Sequence, residues 1–208
     1  MDALHGENIW RSALLRDHIE RIGIPGGDKE VFGSPLNRST VLHLLEKVRP
    51  RLILEVGAFR GSPSTFLAAA ANQPGLDETF PISLDPWPLD LPFVWGNSSR
   101  GRFGGSLANV YLGGGSQLYY LFLANCIARH VEDRVIPLQA SSLTGAYALL
   151  SHRLRPSLMY IDASHANPDV FLDLENFYHI LAEGGAMAFD DFNIPSVRQS
   201  VGALQAKY

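Results

Sequence analysis

Residues 51–71 read Arg51-Leu52-Ile53-Leu54-Glu55-Val56-Gly57-Ala58-Phe59-Arg60-Gly61-Ser62-Pro63-Ser64-Thr65-Phe66-Leu67-Ala68-Ala69-Ala70-Ala71. An apolar run, Leu52-Ile53-Leu54, reaches an acid at Glu55. A turn bounded by Gly57 and Gly61 follows, and then a small-residue stretch, Ser64–Ala71, with the content of a helix. Buried strand, tight turn and helix in that order predict the first βα unit of a nucleotide-type α/β fold. Glycine lets the backbone turn sharply and approach a ligand closely. Pro63 suits the first turn of a helix, where a missing N–H costs little.

Glu55 narrows the ligand. A dinucleotide-binding turn reads G-x-G-x-x-G and aims N–H groups at a pyrophosphate. Here the pattern is E-x-G-x-x-x-G. A carboxylate at the strand end repels a pyrophosphate and suits a cation, such as an ammonium or sulfonium group.

The 208 residues suit one domain, 1–208, with a substantial core, since 46% are hydrophobic. The net charge of −4 comes with no basic stripe, so nucleic acid is not an expected partner. No long apolar span or signal-peptide pattern is present, which predicts no membrane association and a cytoplasmic setting. The single cysteine, Cys126, forms no intramolecular disulfide and no thiolate metal cluster.

Residues 1–35 read as an N-terminal helical cap, in which an amphipathic helix over Met1–Ile24 sets Ile9, Leu14, Leu15, Ile19 and Ile22 on a broad face and Pro25-Gly26-Gly27 ends that helix. Leu36–Val48 predicts a second helix, stopped by Pro50. Phe80–Leu84 predicts a strand that ends in Asp85, an acid that would serve the ribose of NAD as well as that of another adenosine cofactor. Residues 86–115 hold Trp87, Phe93, Trp95, Phe103 and Tyr111 among many Gly, Pro and Ser. That stretch is too long for an ordinary connection and is expected to be a lid and substrate wall, or a surface loop anchored by its tryptophans. Ser116–His130 and Thr144–Leu154 predict helices on either side of a third strand, Val135–Leu138.

The last two strands carry the chemistry. Leu158–Ile161 ends in Asp162-Ala163-Ser164-His165, and Ala186–Phe189 ends in Asp190-Asp191. A helix from Asp169, closed by Glu183-Gly184-Gly185, separates them. Neighbouring parallel strands would present Asp162 and Asp190-Asp191 at one carboxyl edge, where open α/β sheets bind ligands. Three carboxylates there repel one another unless a cation sits between them. Oxygen donors favour Mg²⁺, with Mn²⁺ or Ca²⁺ as alternatives.

Glu55-Val56-Gly57-Ala58-Phe59-Arg60-Gly61 resembles motif I of class I S-adenosylmethionine-dependent methyltransferases. The acidic set resembles that of metal-dependent O-methyltransferases of the catechol and macrolide-sugar type. Over roughly residues 36–191 the resemblance implies a doubly wound, mostly parallel sheet of the Rossmann-like methyltransferase fold. It implies that Glu55, Gly57, Ala58, Phe59, Gly61 and Ser62 border the methionine part of S-adenosylmethionine, with Asp162 nearby. It implies that Asp85 binds the ribose, and that Ala140 and Ser141, after Gln139, lie by the adenine. It further implies that Asp162, Asp190 and Asp191 hold the metal and that His165, at D-x-x-H spacing, is the general base. The expected reaction is methyl transfer to a hydroxyl of a small molecule such as a sugar, polyketide or catechol. A homodimer is one expected assembly.

The chain ends after Ser196–Tyr208, a short helical stretch. The family's usual sheet adds an antiparallel hairpin that the sequence does not show. A fragment, a partner covering the edge, or a truncated relative would each account for it. The alternatives are a catalytically inactive or metal-independent methyltransferase-fold protein, and an NAD-binding Rossmann oxidoreductase.

Overall fold

A computed structural model of the chain describes residues 13–21, 23, 37–73, 75–87 and 117–208. In order, the elements are α1 (Ala13–Arg21), α2 (Arg38–Val48), β1 (Leu52–Val56), α3 (Ser62–Ala70), β2 (Phe80–Asp85) and α4 (Leu118–Ala128). Then come β3 (Ile136–Gln139), α5 (Ser142–Ser151), β4 (Leu158–Ile161), α6 (Asp169–Tyr178), β5 (Ala186–Phe189) and α7 (Pro195–Lys207). Most of the cap expected at 1–35 and all of the lid beyond Trp87 lie outside the described residues.

The strands form one parallel sheet in the order β3-β2-β1-β4-β5. The chain winds outward from β1 in one direction and then returns to wind outward from β4. The order therefore reverses between β1 and β4, and ligands of such sheets bind outside the carboxyl ends at that reversal.

Strand alternation sorts the two faces. Leu54, Val56, Ile82, Leu84, Met159 and Ile161 point to one face and pack with Leu149 of α5, Leu174 and Phe177 of α6, and Val201 and Leu204 of α7. On the other face Ile53 and Leu158 meet Leu45 of α2 and Leu67 of α3. A third cluster gathers Ile19, Trp87, Phe122 and Cys126 around α4. Cys126 is free and buried, as its apolar neighbourhood predicts, and burial pushes its thiol up.

Helix starts differ from the sequence expectation by about two residues, each for a local reason. Gly61 adopts φ +86 at the N-cap of α3, so the helix begins at Ser62 with Pro63 in its first turn. Ser141 caps α5 by accepting the Thr144 N–H at 3.2 Å, so that helix begins at Ser142. The C-terminal helix forms as expected and packs along α6. Tyr208 stacks on Tyr178 at 4.4 Å, and its hydroxyl lies 2.9 Å from His179 Nε2. Among the described residues no helix is long and apolar enough to cross a membrane.

Candidate active site

The turn after β1 is fixed from three sides. Gly57 has φ +93, and a Cβ built on it would lie 1.8 Å from the Asp162 carbonyl oxygen. Only glycine lets the end of β4 come this close. Gly57 N–H donates to Leu84 O at 2.9 Å, and Asp162 N–H donates to Val56 O at 2.8 Å. The turn is thus tied to the tips of β2 and β4.

Asp85 fastens the other side. Its Oδ2 accepts the Phe59 N–H at 2.9 Å and its Oδ1 accepts the Trp87 N–H at 2.6 Å. Trp87 closes the loop by donating its Nε1–H to Phe59 O at 2.7 Å. Trp87 is buried against Phe122, with ring centroids 4.9 Å apart. Burial pushes the Asp85 carboxyl up, opposed by the two N–H donors. Ala140 N–H donates to Asp85 O at 3.2 Å, which sets the start of the turn after β3 beside Asp85.

Glu55 lies deeper than its neighbours. It has no exposed surface, and its Oε2 is in hydrogen-bond contact with Ser64 Oγ and accepts from Ser83 Oγ at 3.2 Å. The two hydroxyls are 2.8 Å apart. Its Oε1 is buried without a hydrogen-bond partner. Burial pushes the carboxyl up to about 8, moderated by the two serines and reinforced by the charges of Asp162 and Asp85. In this structure Glu55 supports the turn from beneath and does not line the rim.

The rim of β4 and β5 brings the remaining candidates together. His165 Nε2 lies 3.0 Å from Asp191 Oδ2 and 3.9 Å from Asp162 Oδ1. One ligand atom from each of Asp162, His165 and Asp191 lies within 4.8 Å of the others. Asp190 is not in that set. It adjoins Asp162 and Tyr160, with its Oδ2 buried and without a hydrogen-bond partner. His165 thus stands with Asp162 and Asp191, while Asp190 lies against Asp162. Burial first, then the charges of Asp190 and Asp191, push the Asp162 carboxyl up to about 7. Like charges held this close are what a bound cation relieves.

A family model described as "Methyltransferase domain" matches residues 54–192, well over half of the chain. The chain belongs to that family. The match spans every acid named above and includes Glu55 at its start, which sets aside the NAD-binding alternative. Solved structures share the fold of this methyltransferase. An O-methyltransferase from Bacillus cereus in complex with SAH superposes with a TM-score of 0.57, at 13% identity, over 93% of this chain and 77% of that one. A putative O-methyltransferase from Klebsiella pneumoniae gives 0.56 at 16% identity, over 93% and 76%. The O-methyltransferase TomG from Streptomyces achromogenes, involved in tomaymycin synthesis and solved with SAM, gives 0.52 at 14% identity, over 97% and 79%. At such identities the likeness is one of fold. No curated protein matches the chain.

Three residues of this methyltransferase escaped the sequence reading, and a fourth, Trp87, was read only as part of the long stretch over 86–115. Ser83 and Tyr160 pair in register with Glu55 from its two neighbouring strands. Trp87 locks the first turn, and Ser196 on α7 donates to His165 O at 2.5 Å. A rule of two would have found the first pair: Ser83 and Tyr160 each stand two residues before an acid at a strand end, and so share its face.

Proposed function

We propose that this methyltransferase transfers a methyl group from S-adenosylmethionine to a hydroxyl of a small molecule, with a divalent cation at the rim of β4 and β5. The convergence of Asp162, His165 and Asp191 beside the Gly57 turn carries the reading. The donors fit a hard cation. They are carboxylate oxygens with one imidazole, and Asp162 is crowded by two other acids. Asp162, Asp190 and Asp191 would hold Mg²⁺, Asp190 through the oxygen not turned toward Tyr160. Mg²⁺ bound there lowers the pKa of the acceptor hydroxyl and orients it.

The chain's own groups then divide the work. Gly57, Ala58 and Phe59 present a turn that a ligand backbone can approach closely. Each Asp85 oxygen keeps a lone pair beyond its N–H bond, enough to accept from the two ribose hydroxyls. Asp191 accepts from His165 Nε2–H, which orients the imidazole and leaves Nδ1 to take the proton of the acceptor hydroxyl. Holding donor and acceptor in line supplies much of the rate. S-adenosylmethionine supplies an electrophilic methyl on a sulfonium centre, and the products are the methyl ether and SAH.

A second reading of His165 has its own support: Nε2 is one of the converging atoms, so His165 can be a third ligand in place of the base.

Calorimetric titration with SAH, followed by Mg²⁺, tests the whole reading. Both are expected to bind, and a panel of catechols and hydroxylated sugars is expected to yield methyl ethers that chelation suppresses. Absence of SAH binding defeats the cofactor assignment. Turnover unchanged by chelation defeats the cation.

A further inference from the structure

A buried phenol stands among these acids. Tyr160 pairs with Glu55 on β1 and with Ala188 on β5, so the three side chains leave one face of the sheet. Two residues further on, the same face carries Asp162 and Asp190. Tyr160 is 4% exposed, and its hydroxyl is buried without a hydrogen-bond partner. Asp190 Oδ2 is buried and lacks one too. The two adjoin, with Asp162 and Glu55 also near the phenol.

Tyr160 thus offers a donor without an acceptor beside Asp190 Oδ2, an acceptor without a donor. Phenylalanine would fill the same space with no polar atom to bury, and a buried hydroxyl is unfavourable unless it is bonded. Core packing alone does not call for the oxygen. Ala188 places no long side chain at the position beside the ring.

We propose that Tyr160 is a positioning residue of the acidic site. In the loaded protein its O–H donates to Asp190 Oδ2, which holds Asp190 beside Asp162 with its other oxygen left for the cation. The inference rests on the cation site proposed above and adds the group that orients it. Partners that orient ligands in this way are worth 10- to 100-fold in metal affinity.

Mn²⁺ binding to the full chain, followed by the resonance of the free ion, gives the test. The four proteins are wild type, Tyr160→Phe, Asp190→Asn and the double variant. Tyr160→Phe is expected to weaken Mn²⁺ binding 10- to 100-fold. In the Asp190→Asn background the same change is expected to add less than about 2-fold, because the partner is gone. Melting without Mn²⁺ separates this from a structural role. Tyr160→Phe is expected to melt at the wild-type temperature or above it, since an unpartnered hydroxyl is removed. Its rise in melting temperature on adding Mn²⁺ is expected to shrink. Tyr160→Phe binding Mn²⁺ within 2-fold of wild type overturns the inference alone. So does an equal loss in both backgrounds, or a metal-free chain that melts much lower. A wild-type chain that does not bind Mn²⁺ overturns the cation site and this inference together.

Discussion

Replacing Glu55 with glutamine should change how stability depends on pH. Glu55 is sealed between β1, α3 and β2, with Ser64 and Ser83 on one oxygen and none on the other. Burial raises its carboxyl from an ordinary 4.5 to about 8 in the folded chain. The folded state therefore keeps a proton that the unfolded state releases. Glu55 contributes fully below pH 4.5, and that contribution is lost as pH rises through 8. At about 1.4 kcal/mol per unit, the loss between pH 5 and pH 8 comes to roughly 3 kcal/mol. Glutamine does not titrate, so Glu55→Gln should lack this slope. A constant offset of about 1–3 kcal/mol is expected from the unpartnered amide. Urea unfolding of both proteins from pH 5 to pH 8 measures the difference. With a slope of about 1–3 kcal/mol per molar urea, the gap between midpoints should change by about 1 M or more. Groups remote from Glu55 titrate alike in both proteins and cancel in the comparison. Parallel midpoint curves across this range would refute the reasoning, because Glu55 would then ionise as freely in the folded chain as in the unfolded one.

Gly57→Ala places a methyl into the Asp162 carbonyl at a positive φ, and should cost more than about 3 kcal/mol, read as lost soluble yield or a much lower urea midpoint. Asp85→Asn removes one of two charge-assisted N–H contacts; it should cost about 2 kcal/mol in urea unfolding and weaken SAH binding about 10-fold by calorimetry. His165→Ala separates the two roles open to the imidazole. A base predicts unchanged Mn²⁺ affinity with turnover down about 10²- to 10⁴-fold, whereas a ligand predicts weaker Mn²⁺ binding.

The strands were legible in the sequence because parallel strands are apolar runs and these runs end in polar chemistry. Leu52–Leu54, Phe80–Leu84, Leu158–Ile161 and Ala186–Phe189 each reach an acid within a residue of their end, and all four are strands of one sheet. The burial of Glu55 was not legible because its surroundings are not local. Ser64 lies nine residues away and Ser83 twenty-eight, and together they hold the carboxyl under the turn. The Trp87 lock, too, is invisible without the fold, since it joins residues 28 apart.

Asp190 and Asp191 show most plainly what a sequence motif leaves open. As an acidic pair they read as two equal ligands. Successive residues of a strand point to opposite faces, so two adjacent acids at a strand end cannot both continue one direction. Asp190 N–H still donates to Ile161 O at 3.0 Å, which extends the ladder and puts its side chain on the face of Asp162 and Tyr160. Asp191 leaves the strand with φ +49 and brings Oδ2 to His165. One acid thus stays with the buried row and the other turns toward the loop that carries the histidine. The two halves of the motif thus stand in different surroundings: Asp191 Oδ2 lies 3.0 Å from His165 Nε2, and Asp190 adjoins Asp162 and Tyr160. On the reading proposed above, a cation at this rim would be bounded by β4 on one side and by the turn after β5 on the other, so a shift between those two segments would alter the proposed base and the proposed ligands at once.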